Sequence, residues 1–172
     1  MSAYLSKTFP LWSVFRKGEA RRLVKEIPEL AVRPMLLALI PDLARSRRKI
    51  TELFDLYGFM VDQWLERESR WISKEKLLHI SKKLAIYMFC TEPGRVKDRV
   101  SILELHALQE LSDVDTSLWK HFTARSLLNR DSGGLYKFAH RSIAEYLFVL
   151  SAIEGDERCF GRPWTDFMRE LF

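Results

Sequence analysis

The stretch "RSLLNRDSGGLYKFAH", residues 125–140, decides the fold. Two short apolar runs flank a glycine-bearing turn at 129–134, the pattern of a β-hairpin. Alternation then puts Tyr136, Phe138 and His140 on one face of the second strand. Most of the remaining chain follows helical 3–4 spacing. Three helices, a hairpin and a further helix make the layout of a winged-helix domain. The expected fold is mainly α: a small helical bundle followed by a winged-helix domain with one β-hairpin.

Downstream, "FAHRSIAEYLFVL" (138–150) carries Ser142 and Glu145 in S-x-x-E spacing. In that pattern each residue bonds the other's free backbone donor at a helix start. The spacing therefore predicts a helix from Ser142 to about Glu154, with Ile143, Tyr146, Leu147 and Leu150 packed and His140 ending the strand. Upstream, "SKEKLLHISKKLAIYMFC" reads as a helix with Leu77, Leu84, Ala85 and Met88 inward. "TEPGRVKDRV" is a loop, Ser101 and Glu104 form a second capping box, and "TSLWKHFTA" follows as a short helix. These elements assign 73–158 to the winged-helix domain.

Residues 1–72 read as a small helical domain. "GEARRLVKEIPELA" places Leu23, Val24, Ile27 and Leu30 on one side, with Pro28 bending or shortening the helix. Pro34 opens the apolar "PMLLALI", which Pro41 closes. From Lys49, the residues Ile50, Leu53, Phe54, Tyr57, Met60, Val61, Trp64 and Leu65 keep one apolar face; Glu52, Asp55, Asp62 and Glu66 face away. At the other end, Trp164, Phe167, Met168, Leu171 and Phe172 make 159–172 the start of a following helix or linker. Its apolar stripe, reaching the last residue without a cap, reads as part of a longer protein.

Composition narrows the function. With hydrophobic residues at 47% and charged residues at 30%, the chain is an ordinary globular one. Cys90 and Cys159 lack metal-ligand spacing and read as free thiols of a reducing compartment. No apolar run approaches the roughly 18 residues of a membrane span, and no signal peptide opens the chain, so a cytoplasmic, membrane-free protein is expected. Of the net charge of +5, residues 1–72 carry +4, notably in "RSRRK" at 45–49, which reads as a solvated helix end or loop.

Catalytic signatures are absent: no G-x-x-x-x-G-K-[ST] loop, no G-x-S-x-G elbow and no H-E-x-x-H. His79, His106, His121 and His140 are too dispersed to form a ligand cluster, and no metal or catalytic residue is assigned. The chain itself is not expected to be an enzyme.

"RPMLLALIPDL", "ITELFDLYGFMVDQWLERE" and "YKFAHRSIAEYLFVLSAI", in this order, resemble the C-terminal half of a NACHT-type module of the STAND signal-transduction ATPases. The family's aromatic-x-His, then Glu-Tyr, is matched by Phe138, His140, Glu145 and Tyr146. The likeness covers about residues 10–155. It implies an upstream nucleotide-binding domain in the same protein, ATP or ADP as its ligand, and homo-oligomerisation on activation, in defence or signalling. It also implies that Pro34 packs beside the adenine and that His140 touches the phosphates of ADP in a closed state. For Pro34 a plain helix-start role stands equally. Because the phosphate-loop half is missing, no cofactor is expected for this chain alone. The alternative is a DNA-binding winged helix, reading through Lys120, His121 and Arg125. The near-neutral charge of the winged unit argues against nucleic acid.

Overall fold

The structure, a computed structural model, describes residues 18, 21, 22, 25, 36, 38–46, 48, 50–70, 72–91, 97–110 and 127–172. The chain divides into two compact units, Met1–Met60 and Val61–Phe172. The described part is mostly helical, with one small antiparallel sheet.

In the first unit, helix α1 (Ile40–Ser46) buries Ile40 and Leu43. Pro41 belongs to its first turn, so it opens a helix where the sequence reading had it close a segment. A missing N–H costs nothing at that position. The basic run is indeed a helix end in part: Arg45 lies in the last turn, exposed, and pairs with Asp42 at 3.1 Å.

Helix α2 spans Leu53–Glu68 and starts later than Lys49. Ile50 is buried but lies outside the helix. The entry is set locally, because Asp55 accepts hydrogen bonds from the Thr51 hydroxyl at 3.2 Å and the Thr51 N–H at 3.5 Å. Tyr57, Met60, Val61 and Leu65 are buried as the spacing requires, and Leu56 and Phe59 widen that face.

In the second unit, the first turn of α3 (Lys74–Cys90) is capped by the Ser73 hydroxyl accepting from Lys76 N–H at 3.4 Å. Leu77, Leu84, Ala85 and Met88 all face inward, joined by Ile80, Ile86 and Phe89. Helix α4 (Ile102–Glu110) starts with a complete capping box: Ser101 N–H donates to Glu104 at 2.8 Å, and Glu104 N–H donates to the Ser101 hydroxyl at 3.3 Å.

The hairpin follows as β1 (Leu128–Arg130) and β2 (Tyr136–Phe138), paired Leu128 to Phe138 and Arg130 to Tyr136. Asp131 organises its turn by accepting from the N–H groups of Gly133 and Leu135 at 2.9 and 3.0 Å. Gly134 takes the positive φ of 81° that closing this loop needs. Val100 adds an isolated antiparallel bridge to Tyr136, with two N–H···O bonds of 2.8 Å, and Arg99 ties it to Asp131 at 2.9 Å.

Helix α5 (Arg141–Ile153) is the core of this unit, buried almost all round from Ser142 to Ala152. A helix apolar on every side must be covered on every side. Here α3 and α6 (Asp166–Leu171) pack against it, together with a 3₁₀ turn at Glu157–Cys159. Phe148 meets Phe89 at 5.0 Å and the edge of Trp164 at 6.3 Å. Each such ring pair contributes about 0.5–1.5 kcal/mol beyond its burial.

The predicted capping box at Ser142 and Glu145 does not form. The helix starts one residue earlier, at Arg141, with His140 as its cap. Strand β2 ends at Phe138, which leaves His140, at φ −146° and ψ 140°, as the last extended residue before the helix. Ser142 is already helical, and Glu145 spends its carboxylate on side chains.

Candidate functional site

Where β2 runs into α5, the second unit opens a cavity of about 460 Å³. Its apolar lining comes from Met88, Phe89, Phe138 and Ala144. Lys97, Lys137 and Arg141 supply its cationic groups beside the His140 imidazole, and Asp98 is its one carboxylate. Asp98 is largely exposed and lies 3.7 Å from Arg99. Basic side chains outnumber acidic ones in the lining itself, while Lys97 and Arg141 are each paired with a glutamate beside it.

Three elements bring these groups together. Lys137 stands between the buried Tyr136 and Phe138 on β2; His140 and Arg141 begin α5. Lys97 arrives from the segment that the Val100–Tyr136 bridge lays beside the hairpin.

His140 is exposed while Phe138 is buried at the end of the same strand. Its Nδ1 accepts the Ser142 N–H at 3.3 Å and lies 2.6 Å from the Ser142 hydroxyl. With Nδ1 engaged by Ser142, Nε2 is the ring nitrogen left for another partner. One imidazole thus caps a helix with one nitrogen and keeps the other available.

Arg141 follows at once. The other described helices of the unit place an acid in the first turn: Glu75, Glu104 and Asp166. The first turn of α5 has none. A cation at the positive end of a helix is disfavoured by a few tenths to about 1 kcal/mol. The cost is partly offset by Glu145, buried to 6% exposure, which accepts from Arg141 Nε at 3.2 Å. The same Glu145 oxygen accepts the Thr165 hydroxyl at 3.1 Å, and Thr165 in turn caps α6 through Met168 N–H at 3.1 Å.

Lys97 is anchored on the other side. It bonds Glu104, which also accepts from the Tyr87 hydroxyl at 2.9 Å and from Ser101 N–H. Burial pushes the Glu104 carboxyl up, but the bonds from Lys97, Ser101 and Tyr87 outweigh it and hold it at about 2. For Tyr87, burial first and then Glu104 push the phenol up.

A second cavity, of about 330 Å³, lies by the C-terminal end of α5 and is lined by His79, Lys82, Lys83, Glu154, Asp156 and Arg158. Its charges are largely satisfied internally: Lys82 pairs with Glu154, and Arg158 pairs with Asp156 at 2.6 Å. Burial, then Lys83 and Lys82, push the His79 imidazole down. Cys90 and Cys159 are free thiols, and burial pushes Cys159 up to about 12, far from thiolate reactivity. Among the described residues, no three His, Cys, Asp or Glu side chains gather as a metal would require, and no helix is long and apolar enough to cross a membrane.

Of the residues singled out from sequence, His140 lies in the cavity. Pro34, Lys120, His121 and Arg125 lie outside the described residues. Lys97, Lys137 and Arg141 were not anticipated. Arg141 could have been found, as a basic residue at a helix start where acids are usual. Lys97 could not, because the bridge of Val100 to Tyr136 and the bond from Lys97 N–H to Met88 O at 2.8 Å carry it there. Compared with known protein families, curated proteins and solved structures, the chain matches none.

Proposed function

We propose that this chain is the regulatory part, a small helical domain and a winged-helix domain, of a NACHT-type nucleotide-switch ATPase. The observation that carries the reading is His140. It stands exposed at the strand-to-helix junction, with Nδ1 committed to the cap and Nε2 left to donate, beside Lys97, Lys137 and Arg141. Such a group bonds a phosphate well, because charged acceptors strengthen the bond. The order α3, bridge strand, α4, hairpin, α5 supports the winged-helix assignment.

The mechanism is a population shift. In the closed state the phosphates of ADP, held by an upstream nucleotide-binding domain, are also held by His140. Exchange for ATP breaks that tie and frees surfaces for self-association. Surface exposed in this way serves a cytoplasmic defence or signalling output.

The test is ADP release from the natural protein with every domain its gene encodes, wild type against His140→Ala. Loss of one bond to a charged group, about 1.5–3 kcal/mol, speeds release by roughly 10- to 100-fold. Unchanged release, or a natural protein without a phosphate loop, overturns the proposal. Tight binding of duplex DNA by that protein would favour the DNA-reading alternative.

A further inference from the structure

We infer that Arg141 is a second phosphate-contacting residue of the cavity, and that it reaches its ligand by exchanging Glu145 for it. The inference rests on the reading of the cavity as a phosphate site.

Arg141 lines the cavity, its side chain is 62% exposed, and its bond to Glu145 uses Nε. The terminal guanidinium nitrogens point no bond at that carboxylate, and two parallel N–H groups match two phosphate oxygens. The existing pair holds the guanidinium through Nε alone. Arg141 precedes Glu145 by four residues, the less favourable order along a helix, and the guanidinium is open to water although Glu145 is buried. A di- or triphosphate brings more negative charge to the same guanidinium and also meets Lys137 and His140. Its charge satisfies the positive end of α5, which has no acid in its first turn.

The exchange has a consequence at a distance. Glu145 is buried, and without Arg141 its carboxylate keeps Thr165 as its donor. A buried carboxylate stripped of its cation is destabilised. The strain falls on Thr165, which also caps α6. Phosphate binding at the start of α5 therefore loosens the first turn of α6.

The experiment is an NMR titration of the 172-residue chain with inorganic pyrophosphate, with amide hydrogen exchange followed at Met168. Wild type binds weakly, and its Met168 amide exchanges faster when bound. Arg141→Ala weakens binding about 10- to 100-fold. Glu145→Gln, which frees the guanidinium, tightens binding several-fold and abolishes the change at Met168. A purely structural Arg141 gives a different pattern: Arg141→Ala lowers the melting temperature and both variants keep wild-type affinity. If His140→Asn weakens binding while Arg141→Ala does not, the cavity remains a phosphate site and the exchange is overturned. Absence of any pyrophosphate response in wild type overturns the inference outright. Should Arg141→Ala fail to fold, the direction of the Glu145→Gln change decides.

Discussion

His140 and Ser142 are bound to each other at the mouth of α5. The imidazole Nδ1 accepts the Ser142 backbone N–H at 3.3 Å and sits 2.6 Å from the Ser142 hydroxyl. Ser142 has the side chain usual for a helix cap, yet it is the residue being capped. The pair links a strand end, a helix start and the rim of a cationic cavity through one ring.

Separating those roles needs two substitutions. His140→Ala removes both nitrogens and costs about 1 kcal/mol of stability through the lost cap. His140→Asn keeps a side-chain oxygen able to cap, so its melting temperature stays near wild type, while the Nε2 donor is gone. Thermal melts of the two variants check this. Equal destabilisation would show that the ring is held for packing.

The acid limb of stability is set in part by Glu104. Its carboxyl is held at about 2 against an ordinary 4.5, so the folded state favours the ionised form. The stabilisation is complete above about pH 4.5 and is lost progressively as pH falls to about 2. It amounts to on the order of 3 kcal/mol at neutral pH. Glu104→Gln is therefore less stable than wild type at pH 7, and the gap closes between pH 4.5 and 2. Urea melts across that range measure it; a gap independent of pH would exclude the charge as the cause.

Gly155 ends α5 at φ +94°. Its N–H bonds Ala152 O at 3.0 Å, and Asp156 N–H reaches back to Ser151 O at 3.0 Å, the paired bonds of a Schellman turn. A Cβ added there would meet no atom within 4 Å, so backbone strain is the whole cost. Gly155→Ala loses about 1–2 kcal/mol and Gly155→Asn less, because asparagine tolerates this conformation. Denaturant midpoints of both variants give the order; equal losses would point to a contact.

Calorimetry with ATP and ADP on the 172-residue chain should show no binding tighter than micromolar, and no hydrolysis. Most of the phosphate grip of a nucleotide-switch ATPase comes from a glycine-rich loop and its lysine, and this sequence contains neither motif. A sub-micromolar constant would mean that the cavity at His140 is a complete nucleotide site.

The sequence by itself determined the elements. Apolar residues at 3–4 spacing specify α2, α3 and α5, because a helix must bury one stripe wherever it packs. A glycine-bearing turn between alternating residues specifies the hairpin, and the Ser101–Glu104 spacing specifies a capped start. These signals are local, since the capping groups lie three residues apart and the paired hairpin residues no more than ten. The same local rule failed at Ser142 and Glu145, where an equally good spacing was overridden. Strand β2 runs so close to α5 that His140 is the last extended residue, and Glu145 is turned to Arg141 and Thr165. The cavity was decided by tertiary structure alone. Lys97 stands 43 residues before His140 in the numbering and reaches the rim because Val100 pairs with Tyr136 and Lys97 N–H bonds Met88 O. No periodicity encodes that meeting, for it depends on backbone hydrogen bonds between segments that the chain itself keeps apart.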